Sequence, residues 1–237
     1  MSLAAEKTVR ELALEIPAAT RVFEQLGIDY CCGGNRTLEE ACSRARIPLE
    51  QVEESLHASD IVRSDRDWRA EPLFELIAHI KDRHHRYTRE EIKRLGPLLD
   101  KVCSVHGNNH PELLGMRETF AGLSQELHMH MMKEEMVLFP YIVRMEESVI
   151  AEEPVLPPPF GAVRNPVAMM MREHDDAGTA LRDLRDASHG YTAPQDACLS
   201  YQTLYRALAE FEADLHQHIH LENNILFPRA MAMEPTA

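Results

Sequence analysis

From Pro72 onward, apolar residues recur at three- and four-residue intervals, the spacing that lines one face of an α-helix. Over residues 72–107 the pattern is set by Leu73, Leu76, Ile77 and Ile80, and Gly96–Pro97 is where this helix is expected to bend or break. Comparable periodic stretches cover 115–145, 167–188 and 196–231. The proline-rich run EEPVLPPPFGAVRNP at 152–166 reads as a loop between the second and third. No run of alternating apolar and polar residues competes with these helices. Four long helices joined by loops predict an all-α protein built on a four-helix bundle. Before Pro72 the pattern is shorter. A helix running from near Pro17 is stopped by Gly27, Thr37 with Glu40 three residues on makes a capping-box signature, and a further helix follows Pro48. The expected organisation is a small helical domain over 1–60, a polar linker over 61–71, and the bundle over 72–237.

Polar residues interrupt this pattern twice in the same way. LHMHMMKEEMVLFP (Leu127–Pro140) and LHQHIHLENNILFP (Leu215–Pro228) share Leu, His, His, Glu, Leu, Phe and Pro at matching positions. His130 with Glu134, and His218 with Glu222, stand four apart and so share a helix face. The apolar flanks Met131, Val137, Leu138, Phe139, Ile219, Ile225, Leu226 and Phe227 are expected to bury that face, where a carboxylate needs a partner. The repeat extends upstream: in RHHRY and REHDD, His85 aligns with His174, and His85 and His174 lie 45 and 44 residues before His130 and His218. Register favours His85 over its neighbour His84. Four imidazoles and two carboxylates in a bundle core outline a centre of two metal ions bridged by carboxylates. Six nitrogen and oxygen donors suit iron better than zinc, and leave manganese open. His128, His216 and His220 are expected on other faces as exposed or supporting residues, His57 and His79 have no partner by spacing, and Met169–Met171 read as core.

Composition narrows the class. A net charge of −14 argues against nucleic-acid binding. No apolar run reaches the length of a membrane span and the N-terminus has no signal-peptide core, so a cytoplasmic protein is expected. Five cysteines, two of them adjacent, fit reduced thiols. Cys42, Cys103 and Cys198 read as buried and inert. Adjacent Cys31 and Cys32 cannot easily bond each other, and Gly33–Gly34 would keep the backbone mobile and open to a partner. As soft ligands they are candidate thiols for contact with nitric oxide, iron or a client cluster.

The segments HMMKEEMVLFP, EHDDAG, ACLSYQTLY and HIHLENNILFPRA resemble the hemerythrin-like domain of the iron–sulfur cluster repair di-iron proteins. TVRELALEIPAATRVFEQLGIDYCCGGNRTLEEA is similar to the short N-terminal domain of the same, ScdA-type family. The resemblance covers nearly the whole chain. It implies two iron ions in a non-haem centre held by His85, His130, Glu134, His174, His218 and Glu222, the same residues as the repeat. It also implies a histidine near the centre at His106, which the internal repeat does not supply. The implied function is repair of iron–sulfur clusters damaged by nitric oxide or oxidative stress. Damaged iron–sulfur proteins would be partners and NO or O₂ small ligands, and a homodimer is compatible. Reduction of NO to N₂O at the two irons, with electrons from a partner, is one alternative. An O₂- or NO-binding hemerythrin-like sensor is another.

Overall fold

The computed structural model describes residues 6–16, 18–31, 33–59 and 67–234. Among these the regular structure is helical, beside an isolated bridge between Thr8 and Thr37. The chain forms two compact units. One comprises the residues up to Pro72 with His216–Arg229, and the other Leu73–Leu215 with the residues from Ala230 on.

The first unit begins with α1 (Val9–Glu15), α2 (Ala19–Gln25), α3 (Leu38–Ala45) and α4 (Leu49–Ser59). Both α1 and α3 start in complete capping boxes, Thr8 with Glu11 and Thr37 with Glu40, which satisfy orphan N–H groups at the helix starts. Gly27, with φ of 65°, ends α2 as the spacing predicts. Val9, Leu12, Phe23, Tyr30, Leu38 and Val52 fill the core. The Asp29 carboxylate accepts from the backbone N–H of Cys31 and Gly33 at 3.2 and 2.9 Å and so fixes the turn after Tyr30. A Cβ on Gly34 would lie 2.6 Å from the Tyr30 carbonyl oxygen. Gly34 is thus required by close packing of its own chain, and not, as expected, by mobility. The His216–Arg229 segment joins this unit by polar contacts: His216 Nδ1 to Glu24 at 3.0 Å, Gln217 to Thr20 at 3.0 Å, and Arg229 to the Trp68 and Glu71 carbonyls at 2.9 and 2.7 Å.

The second unit is the bundle. Its first helix is α5 (Leu73–His79) and α6 (Arg86–His106) joined by a π-helical segment, Ile80–His85. It runs through Gly96–Pro97 without a break, so the expected interruption is absent. The second is α7 (Glu112–Lys133) and α8 (Phe139–Ile150) around a π turn at Glu134–Leu138. Next come α9 (Arg164–Ala187) and α10 (Leu199–Leu221), which passes through another π turn (Glu222–Leu226) into α11 (Phe227–Met233). Up to Leu215, α10 packs on the other three: Phe211 on Phe120 of α7, Glu212 on Arg185 of α9, and Lys101 of α6 on Ser200. Buried Glu146 of α8 accepts the Leu73 and Phe74 N–H groups at 2.6 and 2.9 Å, which caps α5 from 73 residues away. Met170 is buried, but Met169 and Met171 are exposed, so only the middle methionine is core.

Candidate metal centre

The histidine–glutamate spacing in the sequence places the side chains in contact. His130 Nε2 lies 3.3 Å from Glu134 Oε2, and His218 Nε2 lies 3.0 Å from Glu222 Oε1. Both carboxylates are wholly buried. His85 Nε2 reaches the same Glu134 Oε2 at 3.4 Å, and His174 Nε2 faces His130 Nε2 at 3.0 Å. Buried His and Glu side chains gather into two groups of four, each with ligand atoms within 4.8 Å of one another. Glu134 belongs to both, His85 to one, and His130 and His174 to the other. Imidazole nitrogen and carboxylate oxygen at this spacing are a donor set for a transition metal.

The outward nitrogens are held as well. His85 Nδ1 meets Glu135 Oε1 at 2.7 Å, and His130 Nδ1 meets Glu173 Oε2 at 2.9 Å. An ionised carboxylate only accepts, so Nδ1 carries the proton and Nε2 turns its lone pair inward. Arg89 braces Glu135 at 3.0 Å, and Lys133 contacts Glu173. The His130 and Lys133 hydrogen bonds outweigh burial and hold Glu173 down to about 2. Burial lifts Glu135, but its bonds from His85 and Arg89 leave it lowered. Sequence reasoning missed both residues, although each adjoins a candidate ligand. A pocket of about 440 Å³ reaches His130 and His174 between α7 and α9, with Glu126, Lys133, Glu173 and Asp176 in its wall.

Each ligand stretch contains a π-helical turn. His85 ends the first, and Glu134 and Glu222 open the other two. The Glu134 carbonyl accepts from the Phe139 N–H, five residues on, as the Glu222 carbonyl does from Phe227. Pro140 and Pro228 follow at once, and having no N–H they cannot supply the i→i−4 bond that would draw each turn back to α. The repeated Leu-Phe-Pro is therefore the exit from a π turn. Met131, Leu138, Phe139, Ile219, Ile225, Leu226 and Phe227 are buried as expected, but Val137 is 47% exposed because the wider turn carries it to the surface.

Other candidates lie elsewhere. His84 bonds Asp214 at 3.0 Å. His128 is exposed. His220 is buried beside Asn224 at 2.8 Å, and burial, with the Arg10 charge, pushes it down to about 4, so it is neutral. His106 ends α6, 21 residues beyond His85, or about 30 Å at 1.5 Å per residue. The expectation of a histidine near the centre at this position is corrected: His106 contacts Cys198, His110 and Tyr201. Cys198 is exposed, against the expectation that it is buried, while Cys42 and Cys103 are buried. Cys31 is buried with Sγ 3.5 Å from Asp29 Oδ1, and Cys32 lies outside the described residues.

The model of the hemerythrin HHE cation binding domain matches residues 76–230, and that of ScdA_N, a domain of unknown function, matches residues 5–60. The iron-sulfur cluster repair protein YtfE of Pectobacterium carotovorum is 37% identical over 97% of this chain and 98% of its own. That of Citrobacter koseri is 37% identical over the same shares. The probable iron-sulfur cluster repair protein of Haemophilus influenzae is 36% identical over 98% of this chain and 99% of its own.

Proposed function

The chain belongs to the family of hemerythrin-type iron–sulfur cluster repair proteins, and we propose that it repairs iron–sulfur clusters damaged by nitric oxide or oxidative stress through a centre of two iron ions. The observation that carries this reading is the buried Glu134 carboxylate, with one oxygen 3.4 and 3.3 Å from the Nε2 atoms of His85 and His130. His85, His130, His174 and His218 would be terminal ligands, and Glu134 and Glu222 would bridge. Two carboxylate-bridged irons supply labile iron and open positions for NO or O₂. The protein's own groups do the rest: Glu135 and Glu173 hold the Nδ1 protons, and Met131, Leu138 and Phe139 keep water out. No helix is long and apolar enough to cross a membrane. Cytoplasmic iron–sulfur proteins are the intended clients. Residues 1–60 would form the thiol-bearing domain, with Cys31 and Cys32 meeting the client or NO, 61–71 the linker, and 72–237 the di-iron domain.

The test is elemental analysis of protein purified from iron-replete cells, repeated for Glu134→Ala and Glu222→Ala. Two irons per chain, sharply reduced in both variants, with restored activity of a nitric oxide-damaged client enzyme only by the loaded wild type, are expected. One zinc per chain, manganese in place of iron, or metal content unaffected in both variants overturns the reading. Steady-state N₂O production with a reductant would instead favour catalytic NO reduction.

A further inference from the structure

At the end of α6, about 30 Å along the helix from His85, a second pair of reactive side chains meets. Cys198 Sγ lies 3.2 Å from His106 Nε2. The two come from different elements, His106 from the last residue of α6 and Cys198 from the residue before α10. The Cys198 carbonyl accepts from the Gln202 N–H at 3.0 Å, so Cys198 occupies the N-cap of a 23-residue helix. Its sulfur faces the imidazole, the Ser200 and Tyr201 N–H groups, and the positive end of the helix dipole. Charged groups around it are Lys101, whose Nζ is 3.2 Å from Ser200 Oγ, and His110, held between Asp196 at 3.1 Å and Glu112 at 3.0 Å. Tyr201 packs on the His106 ring at 5.2 Å between centroids and fixes its position.

We propose that Cys198 and His106 form a thiol-modification site that exchanges with low-molecular-weight disulfides. A nucleophile within reach of a base, with the base fixed by a third group, is the arrangement that activates a thiol. Metal binding is the poorer use of this pair: among the described residues, sets of three or more ligand atoms within 4.8 Å are found only at the buried centre. In the exchange, the Cys198 S–H proton passes to His106 Nε2 and the thiolate attacks one sulfur of the disulfide. The S–S bond of the reagent breaks as the Cys198 mixed disulfide forms. The departing thiolate takes the proton from His106. Cys198 is oxidised and the departing sulfur is reduced, so one protein thiol and one disulfide give one mixed disulfide and one small thiol. The imidazole, acting first among the causes, and the backbone N–H groups lower the Cys198 pKa, so the thiolate is present near neutrality.

The test uses the full chain with glutathione disulfide as the probe. Adduct formation is followed by intact mass and the site by peptide mapping, at pH values from 5 to 9. Expected results are a single early adduct on Cys198, its loss in Cys198→Ser, and a rate at neutral pH about 10-fold lower in His106→Gln, with the pH midpoint moved upward. Circular dichroism of His106→Gln separates loss of the base from loss of fold. Modification at another cysteine first overturns the proposal. So does a folded His106→Gln protein with the wild-type rate and midpoint.

Discussion

His84 and His85 are adjacent, yet opposite carboxylates claim them: Asp214 holds His84 at 3.0 Å, and Glu135 holds His85 at 2.7 Å. Only His85 has its other nitrogen aimed at Glu134. At the residue scale, what an imidazole can do is decided by the group on its outer nitrogen. His110 shows the case where both nitrogens are taken. Its bonds to Asp196 first, and then to Glu112, favour the imidazolium and raise its pKa above the model value of 6.5. A raised pKa adds stability that is fully present below the unfolded value and disappears as pH rises through the folded one. The His110 ring resonances should therefore titrate above 6.5. Denaturant midpoints should show a step in the same window that is missing from His110→Gln. A titration at or below 6.5 would contradict this. The His85 position was legible because the internal repeat distinguishes it from His84 by register. Cys198 was not legible, because an apolar-looking Ala-Cys-Leu run does not reveal that the cysteine occupies a helix start.

At the scale of elements, the long helices could be read from period alone, as could both capping boxes. The π turns could not, because one extra residue in a turn shifts an apolar pattern by less than its ordinary scatter. That shift is why Val137 was expected inside and lies 47% exposed. The signal available was the Leu-Phe-Pro that follows each glutamate. Pro140→Ala would supply the N–H that the Met136 carbonyl lacks and bias Glu134–Leu138 towards α pitch. Iron affinity in competition with a chelator should fall by about 10-fold, the scale of losses when a ligand's support is disturbed, with helix content unchanged. Unaltered affinity would mean that the π turn does not orient Glu134.

For the whole molecule, two wholly buried carboxylates in a chain of net charge −14 make the folded state dependent on what they hold. Metal present at about a thousand times its dissociation constant stabilises by about 4 kcal/mol. At about 2–4 °C per kcal/mol, stripping it with a chelator should lower the melting temperature by roughly 10 °C in calorimetry. An unchanged melting temperature would place these residues outside any metal-dependent stability. The π turns also make the length of the chain itself significant. Deleting one residue from 135–138 would return the backbone to α pitch and rotate everything beyond it by about 100°. The same holds for 223–226. In a surface loop the loss of a codon is easily absorbed, but at these two places it would turn Leu138 and Phe139, or Leu226 and Phe227, away from the interior they fill.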